Sequence, residues 1–341
     1  MSLHAVILAG GPGRRFWPWS TPAAPKHALP LLPGGRSLFE DTVRRLRRLV
    51  PPERLWLVTT RPQAVTLRRL ASLRMDRILV EPEARDTAAA IGLAALRIRA
   101  LDPEGVMLVC PADHAVGAPG VFARQVRAAA RLAAGGDWLV TFGIRPDRPA
   151  TSFGYLELGG RLPDSGFRRV KAFREKPPLA QARRYLARRG RYLWNSGIFV
   201  WKADVILRAL ERHAPDLARG LARLGPDLTR GYSRLPKASI DYAVMESSGN
   251  VAVLPAAFPW SDWGTWSSWE ETLPMDRQGN RVFGNARVRD CTGTTAVGAD
   301  PRKPLVVQGA RDHLVVQAPA GLLVCRRDQA DDLKKLLGGS R

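Results

Sequence analysis

The amino-acid sequence predicts an α/β fold, a mostly parallel sheet with helices on both faces, followed by a small β-rich C-terminal domain. Three observations carry that prediction. Short apolar runs of strand length alternate with helical patterns as far as Phe142, which is how a wound parallel sheet is written in sequence. The first run, Ala5-Val6-Ile7-Leu8-Ala9, empties into Gly10-Gly11-Pro12-Gly13, a turn whose backbone can approach another group closely. From about Asn280 the rhythm changes to short β-branched runs (Val306-Val307, Leu314-Val315-Val316, Leu322-Leu323-Val324) separated by Gly, Asp and Pro. Domains 1–275 and 276–341 follow, the second built like a few coils of β-helix.

Each element has a local reason. Residues 37–49 form a helix with Ser37 as N-cap and Glu40 at the capping-box position. Strands are expected at 55–59, 77–80, 106–110 and 138–142, and helices at 63–73, 86–101 and 121–134. Asp86 or Thr87 is a sound N-cap for the helix at 86–101. Residues 239–246 read as a capped amphipathic helix whose first-turn Asp241 suits the dipole, a structural duty. A last helix is expected at 328–337. A Rossmann-like sheet of this kind binds ligands at the carboxyl ends of its strands, so the residues there carry the function.

The loop after the first strand already has chemistry. Successive N–H groups of a glycine turn point at an anion, and Arg14, Arg15 and Lys26 add mobile cations around it. Spacing excludes two common phosphate loops. A Walker A loop needs a Gly-Lys pair, and the sequence contains none. A dinucleotide fingerprint needs a glycine where Phe16 stands and an acid closing the second strand, which ends instead in Thr59-Thr60-Arg61.

Composition narrows the class further. A chain of 341 residues holds one large α/β domain and an appendage. No apolar run reaches ~18 residues, and no charged segment precedes the first apolar stretch, so a soluble cytoplasmic protein without membrane contact is expected. Cys110, Cys291 and Cys325 are odd in number and far apart, in keeping with a reducing compartment. The five histidines never fall at ligand spacing, which argues against zinc. A net charge of +22 raises nucleic acid as a rival partner. Yet the arginines are spread along helices, as at 44–48 and 183–189, without a nucleic-acid motif, and read as solvated faces.

The stretch Leu8-Ala9-Gly10-Gly11-Pro12-Gly13-Arg14-Arg15-Phe16-Trp17-Pro18, followed by Pro25-Lys26, resembles the signature of the nucleotide-sugar pyrophosphorylases. Trp17-Pro18 with Ser20 points to the branch that transfers guanylyl groups to mannose 1-phosphate. The family's loop usually reads Gly-Gly-x-Gly-Thr-Arg-Leu, so its arginine falls on Arg15 while Arg14 replaces a threonine, and either is placed to grip a triphosphate. The resemblance covers nearly the whole chain and implies the short, monofunctional form. In these terms Gly10, Gly11 and Gly13 would join Arg14, Arg15 and Lys26 in holding the triphosphate.

Other strand ends gain a second meaning beside a bland one. Glu81, ending the third strand before Arg85-Asp86-Thr87-Ala88, could accept both N–H donors of guanine's edge, with Thr87 as a further substrate contact. Asp86 stands where the family has asparagine. Asp113 in Pro111-Ala112-Asp113-His114 would alone pass for a turn cap, but the resemblance makes it a metal ligand, with His114 bracing the loop. The segment from Pro149 matches the family at Pro149, Thr151, Gly154 and Tyr155, and Gly154 is carried over as substrate-binding. Glu175-Lys176 could be a surface ion pair; the resemblance gives it the sugar and its phosphate. Asn195 would take a sugar hydroxyl. Asp262, among Trp260, Trp263 and Trp266, would be the second ligand to Mg²⁺.

The implied reaction is GTP plus mannose 1-phosphate giving GDP-mannose and pyrophosphate. Two alternatives stay open: transfer to another hexose 1-phosphate or from another nucleotide, and a basic nucleic-acid-binding or catalytically silent regulator. The oligomeric state stays open too, with a homodimer among the options.

Overall fold

The computed structural model describes residues 2–11, 16–22, 24–163, 165–225 and 227–332. Its first ten strands are β1 (Leu3–Ala9), β2 (Leu55–Thr60), β3 (Ile78–Glu81), β4 (Val106–Pro111), β5 (Ala115–Val116), β6 (Leu139–Ile144), β7 (Tyr155–Arg161), β8 (Arg168–Arg174), β9 (Tyr192–Lys202) and β10 (Val251–Pro255). Nine of them build one sheet in the order β3-β2-β1-β4-β9-β6-β10-β8-β7. β1 runs parallel to both β2 and β4, and β2 to β3, with Ile7 opposite Leu57 on one side and Cys110 on the other. These strands are continuous apolar runs because helices cover both faces. β9 reverses direction against both β4 and β6, and β8 against β10, so the expected parallel sheet carries two antiparallel insertions.

The helices of this part are α1 (Leu38–Leu46), α2 (Arg61–Ala71), α3 (Asp86–Leu101), α4 (Pro119–Ala134), α5 (Leu179–Ala187), α6 (Ala203–His213) and α7 (Pro215–Ala222). The capping box forms as expected. The Ser37 N–H donates to Glu40 Oε2 at 2.8 Å, and the Glu40 N–H donates back to Ser37 Oγ at 3.2 Å. The cap expected of α3 does not form. Arg85 is the N-cap, and Asp86 sits at φ +65° with its carboxylate turned onto the Thr87 N–H. Another segment serves that helix end instead: the Ala88 N–H donates to Ala238 O, and Thr87 Oγ1 accepts the Ile240 N–H at 2.8 Å. The same tertiary docking distorts the helix expected at 239–246. It becomes a π-helical turn, Asp241–Met245, in which the Glu246 N–H reaches back to Asp241 O. Such widened turns concentrate at functional places.

The chain divides into two compact units. Residues 2–10, 41–112 and 116–260 form the first and hold the large sheet, with a core running from Val6 and Val109 through the alanines of α3 to Leu210 and Tyr232. The second gathers Gly11–Glu40, Asp113–Ala115 and the segment from Ser261. After β11 (Trp260–Ser261) come α8 (Trp266–Glu270), β12 (Arg281–Gly284), β13 (Ala286–Arg289), β14 (Thr295–Gly298), β15 (Leu305–Gln308), β16 (His313–Ala318) and β17 (Gly321–Arg326). β12, β14 and β16 stack in parallel, as do β13 and β15, and β17 folds back antiparallel on β16. Two parallel walls around Cys291, Ala296, Val307 and Val315 are the β-helix-like coils expected from the sequence. Beyond β17 the chain makes a 3₁₀ turn, Arg327–Asp332; the rest of the helix expected at 328–337 lies outside the described residues. Among the described residues no helix is long and apolar enough to cross a membrane.

Candidate active site

The residues singled out from sequence fall into three constellations, each inside one unit. In the second unit Lys26, on a 3₁₀ turn, is 5% exposed and sits against Phe16, with its ammonium 5.7 Å from the ring centre. The Lys26 Nζ donates to Asp262 O at 2.7 Å and Trp263 O at 3.1 Å and pairs with Asp113 Oδ2 at 2.9 Å. An ammonium has three donors, and three acceptors meet them. Trp263 at φ +38° stands at the turn where two successive carbonyls converge on Nζ. Burial by itself would raise the Asp113 carboxyl, but the Lys26 ammonium, helped by His114 and His27, holds it well below the usual carboxylate range. Its side chain is still 42% exposed, so the carboxylate keeps an open edge. The Asp262 carboxylate accepts the Gly264 N–H at 3.2 Å. Behind this group Phe16, Trp19, Trp266 and Trp269 pack as core, with ring centres of Phe16 and Trp266 4.8 Å apart.

The second constellation lies in the first unit. Glu175 and Lys176 follow β8 directly, with Lys176 Nζ 2.5 Å from Glu175 Oε1, and the Glu175 N–H donates to Glu246 Oε1. Asn195 on β9 is oriented from both ends: its Oδ1 accepts the Thr141 hydroxyl at 2.8 Å, and its Nδ2 donates to Asp241 Oδ1 at 2.9 Å. The second N–H of that amide has no partner among the described residues. Burial, reinforced by the Glu175 charge and opposed by Lys176, pushes the Asp241 carboxyl up to about 7. Lys176 stays above its ordinary value because the bonded Glu175, with Asp241, outweighs the effect of burial.

Gly154 is glycine here for a steric reason. A Cβ there would stand 2.5 Å from Glu175 Oε2 and 2.9 Å from the Phe173 ring. Gly154→Ala is therefore expected to displace the Glu175 carboxylate and lower kcat/KM about 5-fold, roughly 1 kcal/mol. The melting temperature should fall little, because Glu175 can swing away from the methyl. Unchanged kinetics with the sugar phosphate would contradict this.

In the third constellation Glu81, 4% exposed at the end of β3, accepts the Tyr232 hydroxyl through Oε1 at 2.7 Å. Its Oε2 lies beside Gly10, where a Cβ would be 3.3 Å away. Burial raises the Glu81 carboxyl, and the Tyr232 hydrogen bond opposes the rise in part.

Of the residues singled out from sequence, Lys26, Asp113 and Asp262 come together in one unit, and Gly154, Glu175, Lys176 and Asn195 in the other. Glu81 and Gly10 adjoin each other, Gly11 follows at the loop, and Thr87 braces the 238–240 segment. Gly13, Arg14 and Arg15 lie outside the described residues. Sequence reasoning missed Asp241, Tyr232 and Thr141 as parts of these groups. Asp241 was legible only as a first-turn acid, because its partner Asn195 belongs to a different strand.

A wound sheet with a glycine loop after β1, and with lysine–carboxylate groups past the strand ends, defines a nucleotide-handling α/β protein. The nucleotidyl transferase family model matches residues 4–278, and the chain belongs to that family. It is 35% identical to a mannose-1-phosphate guanylyltransferase of Klebsiella pneumoniae, over 98% of this chain and 73% of that one. A protein of the same name from Escherichia coli is also 35% identical, with the same coverage. A crystal structure described as mannose-1-phosphate geranyltransferase from Thermus thermophilus superposes with a TM-score of 0.88 at 34% identity, covering 99% of each chain.

Proposed function

We propose that this protein transfers a guanylyl group from GTP to mannose 1-phosphate, giving GDP-mannose and pyrophosphate. The observation that carries the reading is the caged Lys26, which ties Asp113 and the Asp262–Trp263 backbone into one charged group. Relatives bearing the guanylyltransferase name align over nearly the full chain, which supports the choice of substrates.

A phosphate oxygen of mannose 1-phosphate attacks the α-phosphorus of GTP in line, and the bond to the β-phosphate oxygen breaks as pyrophosphate leaves. The nucleophile needs no general base, since the second pKa of a phosphate monoester is about 6. Positioning and charge neutralisation then supply the rate. Lys176 takes the sugar phosphate, while Glu175 and the free N–H of Asn195 take sugar hydroxyls. By the sequence resemblance, Gly10, Gly11, Gly13, Arg14 and Arg15 would take the triphosphate, and Lys26 keeps the Asp113 carboxylate in place.

The donor set suits a hard divalent cation: Asp113 has an exposed carboxylate edge, and Asp262 adds a second carboxylate on the segment bonded to the same ammonium. Mg²⁺ held there would neutralise charge on the phosphates. The catalytic region in this reading is 1–275, in line with the family match at 4–278. A cytoplasmic location agrees with the free thiols of Cys110, Cys291 and Cys325.

Pyrophosphate release measured with GTP or ATP against a panel of sugar 1-phosphates tests the reading. GTP with mannose 1-phosphate should lead, and ATP should be a poor substrate because adenine offers Glu81 no pair of N–H donors to add to its Tyr232 hydrogen bond. Glu81→Gln should narrow the GTP/ATP ratio. Equal use of the two nucleotides by the unmodified enzyme would remove Glu81 from base recognition, and no turnover with any pair would remove the activity itself.

A further inference from the structure

The arginine run at 183–189 has no part in the reaction above, and its surroundings are not those of an ordinary solvated face. α5 and the turn after it border a cleft of about 760 Å³ lined by Arg145, Arg183, Arg188 and Arg189, with Tyr185 and Tyr192 in the same wall. That size falls in the range of small-molecule sites. Some arginines elsewhere in the first unit have acceptors of their own. Arg44 and Arg45 pair with Asp41, Arg47 donates to Ala71 O, Arg191 pairs with Glu157, and Arg208 pairs with Asp137 and Asp204.

The four guanidiniums of the cleft make no hydrogen bond or ion pair with any described residue. The one carboxylate in the wall, Asp147, is held by Arg148 at 2.9 Å. Like charges gathered in a concavity repel one another and raise the local positive potential, a cost that a bound anion removes. Planar guanidinium forks match phosphate oxygens two at a time. Tyr185 and Tyr192, stacked with centres 4.2 Å apart, add a flat apolar surface beside them.

The cleft is separate from the sugar-binding residues. Tyr192 and Trp194 share one face of β9, whereas Asn195 projects from the other by the two-residue period of a strand. Tyr185 packs on Tyr155, and Tyr155 on Trp194, so an aromatic layer backs the cleft.

The geometry points to a second anion site: this cleft binds the diphosphate group of a small molecule, of the nucleotide or nucleotide-sugar class. Four unpaired guanidiniums exceed what a single carboxylate or monoester needs, and they suit two linked phosphates.

Calorimetric titration with inorganic pyrophosphate at low ionic strength tests it on the whole chain, comparing the unmodified protein with Arg183→Glu/Arg188→Glu. The two side chains are exposed, and their reversal should leave the melting temperature and kcat unchanged. The unmodified protein should show a binding event that the variant weakens at least ~10-fold, alongside a second event, at the active site, that the variant keeps. Loss of the second event alone would count against the proposed reaction and leave the cleft intact. Identical titrations for the two proteins would overturn the cleft site. So would a single-stranded oligonucleotide that outcompetes pyrophosphate there and loses its binding in the variant, which would assign the arginines to nucleic acid.

Discussion

Lys26→Arg is expected to lower kcat/KM at least ~100-fold, about 2.7 kcal/mol, while the protein stays folded. The Nζ of Lys26 meets three acceptors, a carboxylate at 2.9 Å and two successive backbone carbonyls at 2.7 and 3.1 Å, in a pocket that leaves it 5% exposed. Those acceptors surround a point. A guanidinium spreads its donors in a plane and is bulkier, so it satisfies two of the three at best and presses on Phe16. A buried acceptor left without its donor costs ~1–3 kcal/mol, and the Asp113 carboxylate moves with it.

Lys176→Arg is the informative contrast. Its side chain is 53% exposed and has one partner, Glu175, which an arginine can also reach, so only a few-fold loss is expected. Lysine is scarce in the chain, 8 of 53 basic residues, and the structure separates a position that requires it from one that tolerates a substitute. Pyrophosphate-release kinetics for both variants, with thermal melts to verify folding, decide the matter. Equal, near-normal rates would mean that positive charge alone suffices at both places.

Asp241→Asn is expected to change the pH dependence of stability by about 1–2 kcal/mol, a discounted figure for a group that keeps some contact with solvent. The carboxyl is pushed up to about 7 by burial, with the Glu175 charge adding to it. A folded-state pKa above the unfolded value of ~3.9 means that the folded protein holds this proton more tightly. The stabilisation from this group is therefore full below about pH 4, falls as pH rises toward 7, and levels off above that. Asparagine keeps an oxygen for the Asn195 amide and has no proton to lose. Denaturant unfolding at pH 5 and pH 8 should then show the variant gaining on the unmodified protein at the higher pH. A constant difference between the two proteins would show that Asp241 is already ionised in the folded state.

Much of the fold was legible because it rests on local physics. The capping box at Ser37 and Glu40, the span of α3, the strand preceding the glycine loop and the β-rich end all follow from residue order and period. The reversed strands β8 and β9 were not legible, since a strand's direction in a sheet depends on partners far along the chain. The cap of α3 was misassigned for the same reason: Asp86 and Thr87 are good caps in isolation, but the 238–240 segment serves that end of the helix and frees Thr87 to hold it.

The candidate site divides along the same line. By itself the sequence, through its motifs and the family resemblance they carry, determined which residues to inspect: the glycines after β1, Glu81, Asp113, the Glu175-Lys176 pair, Asn195 and Asp262. Tertiary structure alone decided how they are wired. It turned Lys26 onto Asp113 and two carbonyls, set Tyr232 on Glu81, and drew Asp241 out of a regular helix to meet Asn195. Motif spacing records backbone conformation and charge at one place in the chain. Hydrogen-bond partners and buried charges depend on which distant segments fold against that place, and no local pattern encodes them.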